Sequence, residues 1–111
     1  MKKGILLAVA VISMLALSFT ANAETKKTSF KVSGNCGMCE KKIETAAKLV
    51  EGVAIADWDK NTKVMTLSYD TNITNLDEIH KAIAKVGYDT EKAKADDAVY
   101  NKLHSCCKYD R

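Results

Sequence analysis

Proline is absent from the 111-residue chain, glycine occurs five times, and the only two histidines are His80 and His104. Because cis peptide bonds are essentially confined to proline, the chain cannot form the cis-proline that thioredoxin-type oxidoreductases place beside their disulfide. The sequence also has no phosphate-binding glycine loop and no nucleophile–histidine–acid set, so hydrolytic catalysis has no support. We therefore expect a protein that is not an enzyme.

The chain has little net charge once residues 1–23 are set aside. Two lysines precede an apolar run over residues 4–19, and a small-x-small site, ANA, ends at Ala23, which together predict a secretory signal peptide of residues 1–23. An uncleaved anchor is the alternative, but the run is short for a bilayer span. Cleavage near Ala23 leaves 15 basic and 14 acidic residues, a net charge of +1. This balance gives no reason to expect binding to nucleic acid or to an anionic membrane. We expect an exported protein, periplasmic or extracellular, with no stable membrane anchor after cleavage.

Four cysteines follow the predicted signal: Cys36, Cys39, Cys106 and Cys107. In an exported protein an even number first indicates disulfides. A bridge between Cys36 and Cys39 would close a very small loop and stabilise little, and one between the adjacent Cys106 and Cys107 would need a strained ring. Pairing between the two groups remains open.

The apolar pattern predicts strands at residues 28–32, 53–59, 64–70 and 88–92, with Met65, Leu67 and Tyr69 on one face of the third. It also predicts helices that begin at Gly37 and after Asn75, where Thr74 and Asn75 offer a cap. This order predicts an α+β, ferredoxin-like βαββαβ sandwich, in which two helices cover one face of a four-stranded antiparallel sheet. Trp58 is expected to pack in the core and His80 to face water. Residues 94–111, called the tail here, are an extension with a predicted short helix around Val99 and Leu103.

Cys36 in a loop and Cys39 in the first helical turn point two sulfurs toward one place at a helix N-terminus. The partial positive charge there favours thiolate over thiol, and thiolates are ligands that select Cu(I) and similar soft ions. Such a pair predicts a low-coordinate, roughly linear metal site, with Met38 able to cover the ion.

These elements together resemble the heavy-metal-associated domain family. The resemblance rests on Val32 and Gly34, Cys36-x-x-Cys39, Gly52-Val53, Asp70 and Gly87-Tyr88. It implies a domain over residues 24–93 that holds a thiophilic ion through Cys36 and Cys39, with Tyr88 near the metal. It also implies Cu(I) as the ion, with Hg(II) or Zn(II) as alternatives, and a metal-transporting ATPase or another metal carrier as partner. The family's usual Met two positions before the first Cys is missing, and Met38 lies inside the motif instead.

The tail adds His104, Cys106 and Cys107, which are three further soft or borderline donors. These residues are possible auxiliary ligands, and they could share the main site, form a second site or form disulfides. A thiol–disulfide redox protein is the rival function, and a structural domain with incidental thiols is a third.

Overall fold

The computed structural model describes residues 24–111, so the predicted signal peptide lies outside the described residues. The elements are, in chain order, β1 (Thr25–Lys31), α1 (Gly37–Lys48), β2 (Val53–Trp58), β3 (Val64–Asp70), α2 (Leu76–Lys85), α3 (Asp97–Asn101) and a 3-10 turn (Ser105–Cys107). Among residues 24–111, no helix combines the length and the apolarity needed to cross a membrane.

The sheet has three antiparallel strands in the order β1-β3-β2, which places β3 in the centre. Its alternate residues Met65, Leu67 and Tyr69 are buried, as expected when one face of a strand packs on a core. Met65 pairs with Phe30 of β1 and with Trp58 of β2. Three large buried side chains therefore lie side by side across the sheet.

The two longer helices bury their apolar stripes in the same core as the sheet. Ile43 of α1 and Ile79 of α2 belong to one buried cluster with the strand residues. Helix α2 begins at the predicted cap, where the side-chain oxygen of Asn75 accepts the N–H of Glu78 at 3.0 Å. Such a cap stabilises a helix by about 1 kcal/mol. The predicted α+β, ferredoxin-like plan is confirmed.

The fourth strand, predicted at residues 88–92, is reduced to one antiparallel bridge between Val32 and Thr90. The N–H of Asp89 donates to the hydroxyl of Tyr109 at 2.9 Å, and the N–H of Thr90 turns back to the carbonyl of Ala93 at 2.8 Å. Because these donors are used within the tail and a turn, they cannot extend a ladder along β1. The prediction of a fourth strand therefore holds only for that bridge.

The expectation that His80 faces water was wrong, because its side chain is 2% exposed. Its Nδ1 lies 2.6 Å from the hydroxyl oxygen of Thr90, and its ring centroid lies 4.1 Å from that of Phe30. Burial is the main cause that lowers the pKa of His80, and the charge of Lys92 lowers it further. The Thr90 hydroxyl replaces the water that burial removes from the ring.

The tail folds as two short pieces rather than as one helix. Helix α3 ends at Asn101, and Cys106 and Cys107 lie in the separate 3-10 turn. Between them Leu103 packs on Gly87, where an added Cβ would lie 2.9 Å from a Leu103 methyl carbon. Gly87 also has a φ of 111°, so both its backbone conformation and this close contact require glycine.

Tyr109 and Arg111 fasten the tail to the segment after α2. The buried Tyr109 hydroxyl donates to the carbonyl of Gly87 at 2.8 Å and accepts the N–H of Asp89. Arg111 donates to both carboxylate oxygens of Asp89 at 3.0 Å and to the carbonyl of Ala95 at 2.7 Å. These contacts hold the 3-10 turn beside the start of α1.

Candidate metal centre

The loop before α1 brings two thiols together at the start of the helix. Cys36 has an extended backbone (φ −140°, ψ 176°) directly before Gly37, and Cys39 lies fully buried in the first turn. Their Sγ atoms are 3.5 Å apart. The predicted convergence of the two sulfurs is therefore present in the structure.

The core fixes the position of this loop. An added Cβ at Gly34 would lie 2.9 Å from the Trp58 ring and 3.1 Å from a methyl carbon of Ile43, so the loop passes directly over both side chains. The Trp58 indole N–H donates to the carbonyl of Val32 at 3.0 Å. Trp58 thus has the packing role predicted for it, and it also holds the loop that carries Cys36.

The start of α1 lowers the pKa of Cys36. The backbone N–H of Cys39 is the largest of the causes that lower the pKa of Cys36 to about 6, and the thiols of Cys106 and Cys39 follow. The side chain of Cys36 makes no capping hydrogen bond to α1. The Cys39 N–H therefore acts on the Cys36 sulfur as part of the partial positive charge at the N-terminus of α1. At pH 7 Cys36 is a thiolate, which is the form that binds metal ions and reacts as a nucleophile.

The tail carries two further thiols to Cys36. The Sγ atoms of Cys106 and Cys107 lie 3.4 Å and 3.9 Å from that of Cys36, and 4.0 Å from each other. These three sulfurs form a group compact enough to hold one metal ion, and Cys39 adjoins it through Cys36. All four cysteines are free thiols. Of the arrangements left open for the tail, the structure has the one in which its thiols adjoin the first pair.

The two tail thiols differ in environment. Cys107 is fully buried, and burial is the main cause that raises its pKa to about 12. Cys106 is exposed, and its hydrogen bonding with Cys36 is the main cause that raises its pKa. A cation that binds both must therefore displace their protons, as metal binding to thiols generally does.

Tyr88, predicted to lie near the metal, is fully buried beside these thiols. Its hydroxyl makes no hydrogen bond of normal geometry within residues 24–111, although the thiols of Cys107 and Cys39 lie near enough to affect its pKa. Burial raises the pKa of Tyr88, and Cys107 and Cys39 raise it further. A buried hydroxyl without a partner is unusual, and a metal-bound thiolate would supply the acceptor that it lacks. Met38 is 45% exposed on the surface.

His104 does not join the thiol group. Its side chain is exposed, and its backbone carbonyl accepts the N–H of Cys107 at 2.8 Å, which closes the 3-10 turn. The structure thus gives His104 a place in the turn of the tail and brings only Cys106 and Cys107 to the predicted site.

Three residues that position the site were missed from the sequence. Asn35 donates its side-chain N–H to the carbonyl of Lys108 at 2.9 Å, which joins the loop to the tail. Tyr109 and Arg111 hold the tail from the other side. Arg111 is the only arginine of the chain, and an arginine beside acidic residues is a signal that could have drawn attention to it.

Comparison with known proteins agrees with this geometry. The family model of the heavy-metal-associated domain matches residues 29–89. A copper-exporting P-type ATPase of Bacillus subtilis is 35% identical over 77 residues, which are 67% of this chain and 10% of the ATPase. The chain thus aligns with about a tenth or less of the length of the curated relatives it matches.

Two solved structures of small proteins are similar over nearly their whole length. A CopZ metallochaperone has 27% sequence identity and a TM-score of 0.57, with 59% of this chain and 98% of that chain covered. Oxidized MerP from Ralstonia metallidurans has 28% identity and a TM-score of 0.59, with 61% and 96% covered. The portions of this chain that align are close in size to these two solved chains. The tail that carries Cys106 and Cys107 lies outside the family match, which ends at residue 89.

Proposed function

The chain belongs to the heavy-metal-associated domain family, and from that premise we propose that it binds a soft metal ion, Cu(I) before others, and passes it to a protein partner. Cys36 and Cys39 are the primary ligands. The observation that carries the proposal is the sulfur pair itself, with Sγ atoms 3.5 Å apart and Cys36 held as a thiolate by the start of α1. Soft thiolates favour Cu(I) over the hard cations that carboxylates bind.

The proposed transfer is a stepwise exchange of ligands. Cys36 is partly exposed whereas Cys39 is buried, so an incoming thiolate reaches the ion from the Cys36 side. One partner thiolate binds the ion, Cys36 leaves, and the exchange is repeated at Cys39, so that the ion is never released to water. A metal-transporting ATPase or another carrier is the proposed partner, which the similarity to copper-exporting ATPases and to a metallochaperone supports.

The proposed location is the cell envelope or the exterior, because the sequence of residues 1–23 has the pattern of a signal peptide. An oxidising compartment would tend to convert the thiols to disulfides. Bound metal occupies the sulfur lone pairs that would otherwise react, so we expect the metal-loaded protein to oxidise more slowly than the metal-free protein. Equal rates of thiol loss in the two forms would contradict this protective role.

Hg(II), a thiophilic ion that the resemblance to the heavy-metal-associated family also implies, is the second candidate ion, and Zn(II) is the third. The rival function, a thiol–disulfide redox protein, requires a Cys36 that attacks a substrate disulfide. The low pKa of Cys36 is compatible with such attack, but the chain has no proline to form the cis-proline of thioredoxin-type enzymes. We propose a carrier rather than an enzyme.

The test is metal binding by the reduced protein and by its Cys36→Ser/Cys39→Ser variant. Each is titrated with Cu(I) in competition with a copper chelator of known affinity, and then with Hg(II) and Zn(II). The proposal expects one tightly held Cu(I) in the native protein and a large loss of affinity in the double variant. Equal retention by both proteins would refute it. Turnover of a disulfide substrate by the metal-free protein would instead support the redox function.

A further inference from the structure

Cys36 is the centre of a four-thiol cluster that comprises Cys36, Cys39, Cys106 and Cys107. Its Sγ atom lies within 3.9 Å of each of the other three. Only Cys36 and Cys39 lie within residues 29–89, where the family model matches. Cys106 and Cys107 follow Cys36 in the sequence by 70 and 71 positions. The cluster is therefore a feature of this chain's tail rather than of its heavy-metal-associated domain alone.

The sulfur separations indicate the coordination that the cluster fits. With metal–sulfur bonds of about 2.3 Å, a linear S–metal–S unit places its two sulfurs roughly 4.6 Å apart, whereas a tetrahedral or trigonal unit places them roughly 3.8 to 4.0 Å apart. The separations among Cys36, Cys106 and Cys107 are 3.4, 3.9 and 4.0 Å, and Cys36 and Cys39 are 3.5 Å apart. The separations of 3.9 and 4.0 Å match three- or four-coordinate geometry, those of 3.4 and 3.5 Å are somewhat shorter, and all four are too short for a linear pair.

The tail is held in this position by contacts that do not involve the thiols. Leu103 packs in the core beside Gly87, Tyr109 binds the backbone on both sides of Tyr88, and Arg111 grips Asp89. Asn35 adds a direct link from the metal-binding loop to Lys108. Contacts of the fold thus place the tail thiols beside Cys36, so a cation can gain the extra ligands without having to order a loose segment.

We propose that Cys106 and Cys107 are ligands of the same soft cation as Cys36 and Cys39, so that the docked tail raises its coordination from two thiolates to three or four. This inference rests on the proposed function of the Cys36 and Cys39 pair. Each tail thiol gives up its proton to solvent when it binds the ion, and no electron is transferred. Handover to a partner then includes one more step, in which the two tail thiolates leave the ion and take up protons again before the exchange at Cys36 and Cys39.

The decisive measurement is X-ray absorption spectroscopy of the reduced protein loaded with one equivalent of Cu(I). The proposal expects three or four sulfur neighbours per copper ion in the native protein and two in the Cys106→Ser/Cys107→Ser variant. Removal of a group that merely supports a ligand lowers metal affinity about 10- to 100-fold, so removal of two direct ligands should lower it by at least about 100-fold in chelator competition. His104→Ala is the matched control, because His104 is in the same turn but outside the cluster, and it should change neither value.

Three outcomes separate the two proposals. Two sulfur neighbours in the native protein, or an unchanged affinity in a folded tail variant, would overturn the role of Cys106 and Cys107 and leave the Cys36 and Cys39 site standing. Native affinity in the Cys36→Ser/Cys39→Ser variant would overturn the primary site itself. Because Cys107 is buried, the double tail variant is checked for folding by circular dichroism. Cys106→Ser alone changes an exposed side chain, and it should remove one sulfur neighbour without disturbing the core.

Discussion

Substitution of Arg111 by alanine should release the tail, and the release can be read directly from the reactivity of Cys107. Arg111 binds both oxygens of the Asp89 carboxylate, and the two side chains are 18% and 15% exposed. It also donates to the carbonyl of Ala95. Its further contact with Asp97 adds little, because that carboxylate is 92% exposed.

The expected magnitude follows from these contacts. A hydrogen bond to a charged group contributes about 1.5 to 3 kcal/mol, and the Arg111 contacts share one side chain and do not add fully. We take about 2 kcal/mol for their joint loss, which corresponds to an increase of about 30-fold in the fraction of molecules with an undocked tail. A fully buried thiol reacts with a bulky reagent only from that fraction.

The assay is labelling of the reduced, metal-free protein with a maleimide, followed by mass spectrometry of each cysteine peptide. Cys107 should react about 30-fold faster in Arg111→Ala than in the native protein. Cys106 is exposed in the docked tail and should change far less, so it serves as the control within the same molecule. Arg111→Lys, which keeps the charge but loses the paired donors, should lie between the two. Equal Cys107 rates in the native and alanine proteins would refute the reasoning that Arg111 docks the tail.

Three other predictions concern the core and the loop. The alkylation rate of Cys36 in the metal-free protein should rise through pH 6 and level off by about pH 7, because its lowered pKa makes it a thiolate there; a rise centred near pH 8.5, the value of an ordinary thiol, would contradict this. Gly34→Ala should reduce the free energy of unfolding by about 1 to 3 kcal/mol, because its Cβ would overlap the Trp58 ring. Gly37→Ala should not reduce it, because a Cβ there meets nothing within 4 Å. Denaturant titration followed by tryptophan fluorescence compares the two variants. Tyr88→Phe should raise the melting temperature of the reduced, metal-free protein, since it removes a buried hydroxyl without a hydrogen bond. The expected gain in stability is about 1 kcal/mol. A lower melting temperature would show that the hydroxyl has a stabilising partner.

The regular elements were predictable because their signals are local. Strand alternation at Met65, Leu67 and Tyr69 and the cap at Asn75 lie within a few residues of the structure they specify, and both are found where they were expected. The position of Cys36 before α1 follows in the same way from the glycine before it and the helical pattern after it.

The features that the sequence did not reveal depend on contacts between distant residues. The position of His80 between Ile79 and Ile83 predicts a histidine that faces water. Thr90, ten residues later, supplies the hydroxyl that makes its burial tolerable. The fourth strand stops at one bridge because Tyr109, twenty residues away, takes the N–H of Asp89. The approach of Cys106 and Cys107 to Cys36 is of the same kind, since the pattern of the tail does not encode where it docks.

Asp89 contacts both the loop before Cys36 and the tail. Its carbonyl accepts the N–H of Ser33 at the base of the loop that carries Cys36, and its side chain accepts from Ala95 and Arg111 of the tail. Displacement of the tail therefore reaches the backbone that precedes Cys36 through Asp89, in addition to the contact between Asn35 and Lys108. The tail and the loop that carries Cys36 are thus linked, and release of the tail is expected to loosen the loop as well.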